Sequence, residues 1–230
     1  MYGYVAQVPL FRTLPTIERR RISHVAELRR FKKGKTIFEE GNPAESVWVV
    51  KQGWVYLVKR TPQGGRATIF TMTPDEALCG VSAFDHGTYS AAAIAATDTQ
   101  LITVPAELFS RLLDRYPKFA KQVLLTCCLR MRHMAETISL SQEPVEKRIA
   151  YVLLRLRASF NNAVPITHQE LARMAGTRLE TSIRTIAIFK RHGWLSTSRG
   201  KMTIRRSQPL KALLHVRYQI SPQALREPDS

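Results

Sequence analysis

Apolar and polar positions follow two rhythms along the 230-residue chain, and the change falls near Pro105. Before it, glycines punctuate short runs rich in β-branched and aromatic residues: Gly34, Thr36 to Phe38, Gly41, Ser46 to Val50, Gly53, Val55 to Val58. Thr61-Pro62-Gln63-Gly64-Gly65 reads as a turn cluster, and Ala67 to Met72, Ser90 to Ala96 and Gln100 to Val104 read as further strands. Val47 and Val49 lie on one face of their run and Trp48 and Val50 on the other, so that strand is apolar on both sides. Many short strands with glycine turns predict an all-β barrel or jelly roll. An arginine-rich, helix-like stretch from Glu18 to Leu28 leads into it.

After Pro105 the period becomes helical. No glycine occurs from Ala106 to Leu140, and Pro117 stands where a second helix can begin. Ala120, Leu124, Cys127, Met131, Met134 and Ile138 recur at alternating spacings of four and three, a heptad-like seam. A dimer seam accounts for this better than a helix lying on the β domain. Ser141-Gln142-Glu143-Pro144 breaks the pattern as a hinge, helix resumes to about Ser159, and Asn161-Asn162 turns the chain.

Two short helices are then written between Thr167 and His192. Thr167-His168-Gln169-Glu170 has the form of a capping box, Leu171, Met174 and Ala175 give an apolar face, and Gly176 ends the helix. Thr177-Arg178-Leu179-Glu180 has the form of a second capping box, Ile186 and Phe189 supply the buried face, and His192-Gly193-Trp194-Leu195 closes the helix. Helix, glycine turn and helix over this length is the helix-turn-helix pattern. Leu195 to Ile204 adds two short strands around the basic turn Arg199-Gly200-Lys201, which is a wing.

Charge sharpens this picture. The formal net charge is +17 and the pI near 10.4, a surplus that suits a polyanionic partner, most often nucleic acid. Of that +17, +10 falls after residue 141, about twice the density of the preceding part. A 44% hydrophobic and 23% charged composition is that of an ordinary globular protein. With no apolar run near the roughly 20 residues of a membrane span and no secretory h-region, a soluble cytoplasmic protein with no membrane partner is expected. Cys79, Cys127 and Cys128 have no metal-site spacing and are expected as buried, reduced thiols, although oxidant sensing by Cys127 or Cys128 stays open. No metal site is expected. No nucleophile–base pair or phosphate loop marks an enzyme.

Over nearly its whole length the chain resembles the cyclic-AMP receptor protein and fumarate–nitrate regulator (Crp/Fnr) family of bacterial transcription factors. The resemblance rests on Ile166 to Gly176, Glu180-Thr181-Ser182-Ile183-Arg184, Gly34 to Gly41, Val49 to Gly53 and Ala95 to Val104. It implies an α+β protein with a cyclic-nucleotide-binding-like β-roll at 1–113, a dimerisation helix at 114–141 and a winged helix-turn-helix at 142–230. It also implies a homodimer on an inverted-repeat operator in double-stranded DNA, with RNA polymerase as a further partner. Glu180 and Arg184 match the family's base-reading pair, and their i, i+4 spacing puts both on one face. Arginine can donate two bonds to guanine while a carboxylate accepts from cytosine; the competing account of the pair is a surface salt bridge. Arg178 and Thr181 are further DNA contacts, and Thr167, His168, Gln169 and Lys201 match phosphate contacts. Ile183 stands where relatives often have Ser or Gly; an apolar side chain there can touch a thymine methyl and change the preferred half-site.

The sensor is less well marked. The family's nucleotide binders carry Gly-Glu and later Arg-Ser; here Gly80 and Ser90 remain, but Val81 replaces the Glu and Tyr89 the Arg. A buried cyclic phosphate without its cation is poorly compensated, so a cyclic nucleotide is not expected. A pocket would be lined by Gly80, Val81, Phe84, Tyr89 and Ser90 with His133 and Met134, and would suit a small apolar or aromatic ligand or none. Haem stays open through His86 or His133, though a surface imidazole accounts for each; an iron–sulfur cluster does not fit, because no cysteine precedes Cys79. Cyclic-nucleotide, haem, redox and effector-independent regulators are the alternatives within the family, and a β-roll adaptor is the alternative outside it.

Overall fold

Two short helices, α1 (Tyr2–Gln7) and α2 (Thr16–Val25), lead into eight strands: β1 (Glu27–Phe31), β2 (Thr36–Phe38), β3 (Ser46–Gln52), β4 (Val55–Arg60), β5 (Arg66–Met72), β6 (Ala77–Leu78), β7 (Ala92–Ala95) and β8 (Thr99–Pro105). Helices α3 (Ala106–Arg115), α4 (Pro117–Ser141) and α5 (Val145–Phe160) follow. The chain ends its described part with β9 (Ala163–Val164), α6 (His168–Met174), α7 (Leu179–Arg191), β10 (Leu195–Ser198), β11 (Lys201–Ile204) and α8 (Ser207–Leu213). This computed structural model describes residues 1–62, 64, 66–78, 82 and 87–214, and the chain divides into two units, Met1–Cys127 and Cys128–Ser230.

In the first unit two four-stranded antiparallel sheets, ordered β1-β8-β3-β6 and β2-β7-β4-β5, form the β-roll. The two-faced strand predicted at Val47 to Val50 explains how it is layered. Val47 and Val49, with Ile102 and Val104 of β8, join a core built with Val5, Phe11 and Ile22 from the N-terminal segment and Phe109 and Phe119 from α3 and α4. Val50 and Leu101, with Trp48 packed alongside, join the second core between the sheets, with Phe38, Val55, Leu57, Met72 and Tyr89. Fully burying one such side chain contributes about 1.5–3 kcal/mol, and β3 and β8 contribute to both cores.

One expectation fails at the start of the roll. The helix read from Glu18 to Leu28 stops at Val25, Ala26 is extended, and Leu28 pairs with Ile102 in β1. Pairing with the buried strand β8 outweighs the local helical preference of this arginine-rich segment.

Gly53 turns β3 into β4 with φ of +76°. A Cβ there would sit 2.6 Å from the Asp98 carbonyl oxygen and within 2.8 Å of the Thr97 and Thr99 hydroxyls. The obstruction includes backbone, so it cannot move aside as a flexible side chain would. Gly53→Ala is therefore expected to destabilise the β-roll by about 2–4 kcal/mol, read as a lowered urea midpoint. A midpoint unchanged from the parent would refute this account of the turn.

In the second unit α5 buries Ile149, Ala150, Val152, Leu153, Leu154 and Leu156. Asn161, with φ of +54°, turns the chain, a conformation its short polar side chain tolerates. The wing strands β10 and β11 pair antiparallel, and the two-residue β9, not read from the sequence, adds a third strand beside β11.

Candidate nucleic-acid interface

The first half of the helix pair is built as its sequence predicts. Thr167 caps α6: its hydroxyl accepts from the Glu170 N–H at 3.2 Å, and the Glu170 carboxylate accepts from the Thr167 N–H at 2.8 Å. The hydroxyl proton is donated to the same carboxylate at 2.8 Å, so the Thr167 side chain has no donor left for a phosphate. Gln169 is exposed, while His168 is half-buried with its Nδ1 buried and unpartnered. Burial, with Lys190 adding to it, holds the imidazole below its usual range.

The second capping box does not form. The Gly176 N–H bonds the Arg173 carbonyl at 3.3 Å and the Thr177 N–H bonds the Ala172 carbonyl at 2.9 Å, the paired bonds of a Schellman turn. Gly176 takes the positive φ of +58° that this turn requires. Thr177 is thus used to close α6, and the N-cap of α7 passes to Arg178, whose side chain makes no capping bond. A second Schellman turn ends α7: Gly193 bonds Lys190, Trp194 bonds Phe189, and the Trp194 and Phe189 rings lie 5.1 Å apart.

Helix α7 has two clearly different faces. Ser182, Thr185, Ile186 and Phe189 are buried, and Thr181 is half-buried. Arg178, Glu180, Ile183, Arg184, Ala187 and Arg191 are exposed, Ile183 at 46%. No ion pair joins Glu180 to Arg184 among the described residues, so both are available to a partner. Lys201 is exposed at the start of β11, opposite Ser198 across the wing turn.

One residue that holds this site was not read from the sequence. Arg148 of α5 donates from one terminal nitrogen to the carbonyls of Ala175 and Gly176, at 3.0 and 2.8 Å, and so pins the turn between α6 and α7. The available signal was a cation beside the apolar positions Ile149 and Val152; what it would reach, 27 residues on, has no local signature.

The predicted effector residues are differently placed. Gly80, Val81, Phe84 and His86 lie outside the described residues, as does Cys79. Tyr89 is buried in the core between the sheets, stacked on Phe38 with ring centroids 3.9 Å apart. Its hydroxyl donates to the Ser46 carbonyl at 3.1 Å and accepts from the Trp48 indole N–H at 3.0 Å. Ser90 is exposed, and its carbonyl accepts from Lys59, whose ammonium also holds the Glu40 carboxyl below its usual range.

His133 and Met134 belong to the second unit. Met134 is exposed, but His133 is not the surface imidazole expected: its Nδ1 lies 2.5 Å from the Tyr151 hydroxyl, and burial, with Arg155 adding, pushes its pKa down to about 3. Cys127 is half-buried and Cys128 exposed in the single chain, so neither is the fully buried thiol expected.

Comparison with known proteins agrees with this geometry. Residues 28–116 match the cyclic nucleotide-binding domain and residues 147–213 the Crp-like helix-turn-helix domain. The chain is 30% identical over 207 residues to the cyclic AMP receptor protein of Thermus thermophilus, covering 89% of this chain and 96% of that one. It belongs to the Crp/Fnr family.

As a Crp/Fnr protein it is a transcription regulator with a helix-turn-helix DNA-binding domain. Another relative, the transcriptional activator protein anr of Pseudomonas aeruginosa, is 27% identical over 80% of this chain and 79% of its own. In fold, the Crp/Fnr chain matches FixK2 of Bradyrhizobium japonicum with a TM-score of 0.73 at 21% identity, over 82% of this chain and 97% of that one. No helix among the described residues is long and apolar enough to cross a membrane.

Proposed function

We propose that this regulator is a cytoplasmic homodimer that lays two copies of α7 in successive major grooves of an inverted-repeat operator. The observation that carries this reading is the outer face of α7, where Glu180, Ile183 and Arg184 stand exposed together. Arg184 donates to guanine, Glu180 accepts from cytosine and Ile183 touches a thymine methyl. Arg178 and Thr181 flank them, while Gln169, His168 and Lys201 contact phosphates, and Thr167 serves by capping the helix that carries His168 and Gln169. Pairing of two chains is supported by the seam of α4: Leu124, Met131 and Ile138 are 63–69% exposed in the single chain, on a helix otherwise built like a coiled-coil strand. RNA polymerase is the partner through which bound protein would act.

The effector is not a cyclic nucleotide in this reading. Tyr89 stands where the resemblance puts the arginine that neutralises the cyclic phosphate, and its ring and hydroxyl are used within the core. Selection from random duplex DNA tests both statements. The expected product is an inverted repeat with half-sites about 34–36 Å apart, bound equally well with and without cyclic AMP. Sequence-independent binding would refute operator recognition, and a requirement for the nucleotide would refute the assignment of Tyr89.

A further inference from the structure

The second unit contains a polar contact that DNA recognition as described leaves unused. Tyr151 on α5 is 5% exposed, yet both hydrogen-bonding capacities of its hydroxyl are engaged by one turn of α4. The hydroxyl donates to Glu136 Oε2 at 2.8 Å and lies 2.5 Å from His133 Nδ1, and the His133 and Tyr151 rings stack at 5.7 Å with 14° between their planes. Because the tyrosine proton goes to the carboxylate, the His133 nitrogen is the donor of its bond, so the imidazole is the neutral Nδ1–H tautomer. The positive charge of Arg155, one turn beyond Tyr151, acts on both groups.

Two features make this more than a satisfied buried tyrosine. His133 and Glu136 flank Met134 on α4, whose exposed positions Met131, Met134 and Ile138 form the seam. And Arg148, three residues before Tyr151 on α5, holds the carbonyls at the turn before α7. Two side chains one turn apart on α5 therefore reach, separately, the seam helix through Tyr151 and the turn before α7 through Arg148. The connection Gln142 to Pro144 between α4 and α5 is held locally, by the Glu143 N–H on the Leu140 carbonyl at 2.9 Å and by the Glu143–Lys147 pair, whereas Tyr151 ties the two helices 15 to 18 residues apart in sequence.

We propose that Tyr151 is a positioning residue for operator binding: clasped by His133 and Glu136, it fixes the angle between the seam helix and the DNA-binding helices, and thereby the separation of the two recognition helices in the dimer. The inference rests on the dimeric reading given above. Two half-sites are engaged together only if that separation matches the DNA, and the advantage of the second contact is lost when the angle is loose.

The test compares full-length parent, Tyr151→Phe, Glu136→Ala and Glu136→Gln on duplexes carrying one half-site, two half-sites, and two half-sites moved apart by one base pair. Tyr151→Phe keeps the ring and removes only the hydroxyl. It is expected to weaken two-half-site binding about tenfold, with one-half-site binding unchanged. It is also expected to lessen the penalty for the altered spacing. Glu136→Ala should behave likewise, whereas Glu136→Gln, which retains an acceptor, should bind as the parent does. Light scattering and thermal melting check that each variant is folded and dimeric. Parent-like binding of Tyr151→Phe to all three duplexes overturns the proposal, and so does an equal loss on one and two half-sites, which is plain damage to the fold. A parent without any two-half-site advantage removes the dimeric reading and this inference with it.

Discussion

Arg184→Ala is expected to lower affinity for the selected operator by about 2–6 kcal/mol, because each half-site loses a bidentate contact of about 1–3 kcal/mol and the dimer carries two. The direction follows from where the side chain stands. Arg184 is exposed on the outer face of α7 and makes no ion pair with Glu180, so its removal leaves no buried group unsatisfied. Folding stability should change by less than about 0.5 kcal/mol, as for other surface positions. The loss should also be selective: one base pair in each half-site stops being discriminated, while binding to unrelated DNA stays close to that of the parent. Fluorescence anisotropy at one fixed salt concentration measures all of these, since affinities at different salt are not comparable. Unchanged affinity together with unchanged base preference would remove Arg184 from the interface.

What could be read from the sequence was what depends on neighbours along the chain. The capping box at Thr167, the glycine at 176, the two-faced strand at Val47 to Val50 and the change of period at Pro105 each need only a few consecutive residues. All appear in the structure with the expected elements. The second capping box failed for a reason that is also local but competitive: Thr177 suits either the end of α6 or the start of α7, and the Schellman bonds take it. The end of α2 failed because strand pairing with β8, some seventy residues away, decides it. Strands of two residues, β6 and β9, have no pattern long enough to read.

The candidate site divides in the same way. The spacing of Glu180 and Arg184 on one helical face is a property of the helix itself, so it was legible. The roles of Arg148 and Tyr151 depend on groups 15 to 28 residues away and were not. For Thr167 the sequence suggested a phosphate contact, and the geometry narrows it, since the hydroxyl proton is already donated to Glu170. Tyr89 is recognisable in the sequence as a departure from the family pattern; that its hydroxyl is satisfied twice inside the roll depends on Ser46 and Trp48, more than forty residues away.

Met131→Glu should separate the dimer without unfolding the chain. Met131 is 69% exposed in the single chain, and at such a position a charged residue ordinarily changes stability by less than about 0.5 kcal/mol. In the paired seam the same substitution removes an apolar knob from each chain and sets two carboxylates close to the two-fold axis, in a place with little water. Breaking up a buried contact in this way weakens association by about 3 kcal/mol or more, at least a hundredfold in the dimer constant. Binding to two half-sites should then fall toward that of a single half-site, because the second α7 no longer arrives tethered to the first. Binding to a one-half-site duplex should be unaffected, since Met131 lies on α4 and the face proposed to read bases on α7. Ser139→Glu is the matched control: it is exposed on the same helix but off the Met131, Met134 and Ile138 stripe, and should leave both mass and affinity as they were. Sedimentation equilibrium gives the dimer constant and anisotropy the DNA affinities. A Met131→Glu protein that stays dimeric would show that the exposed stripe of α4 is not where the two chains meet.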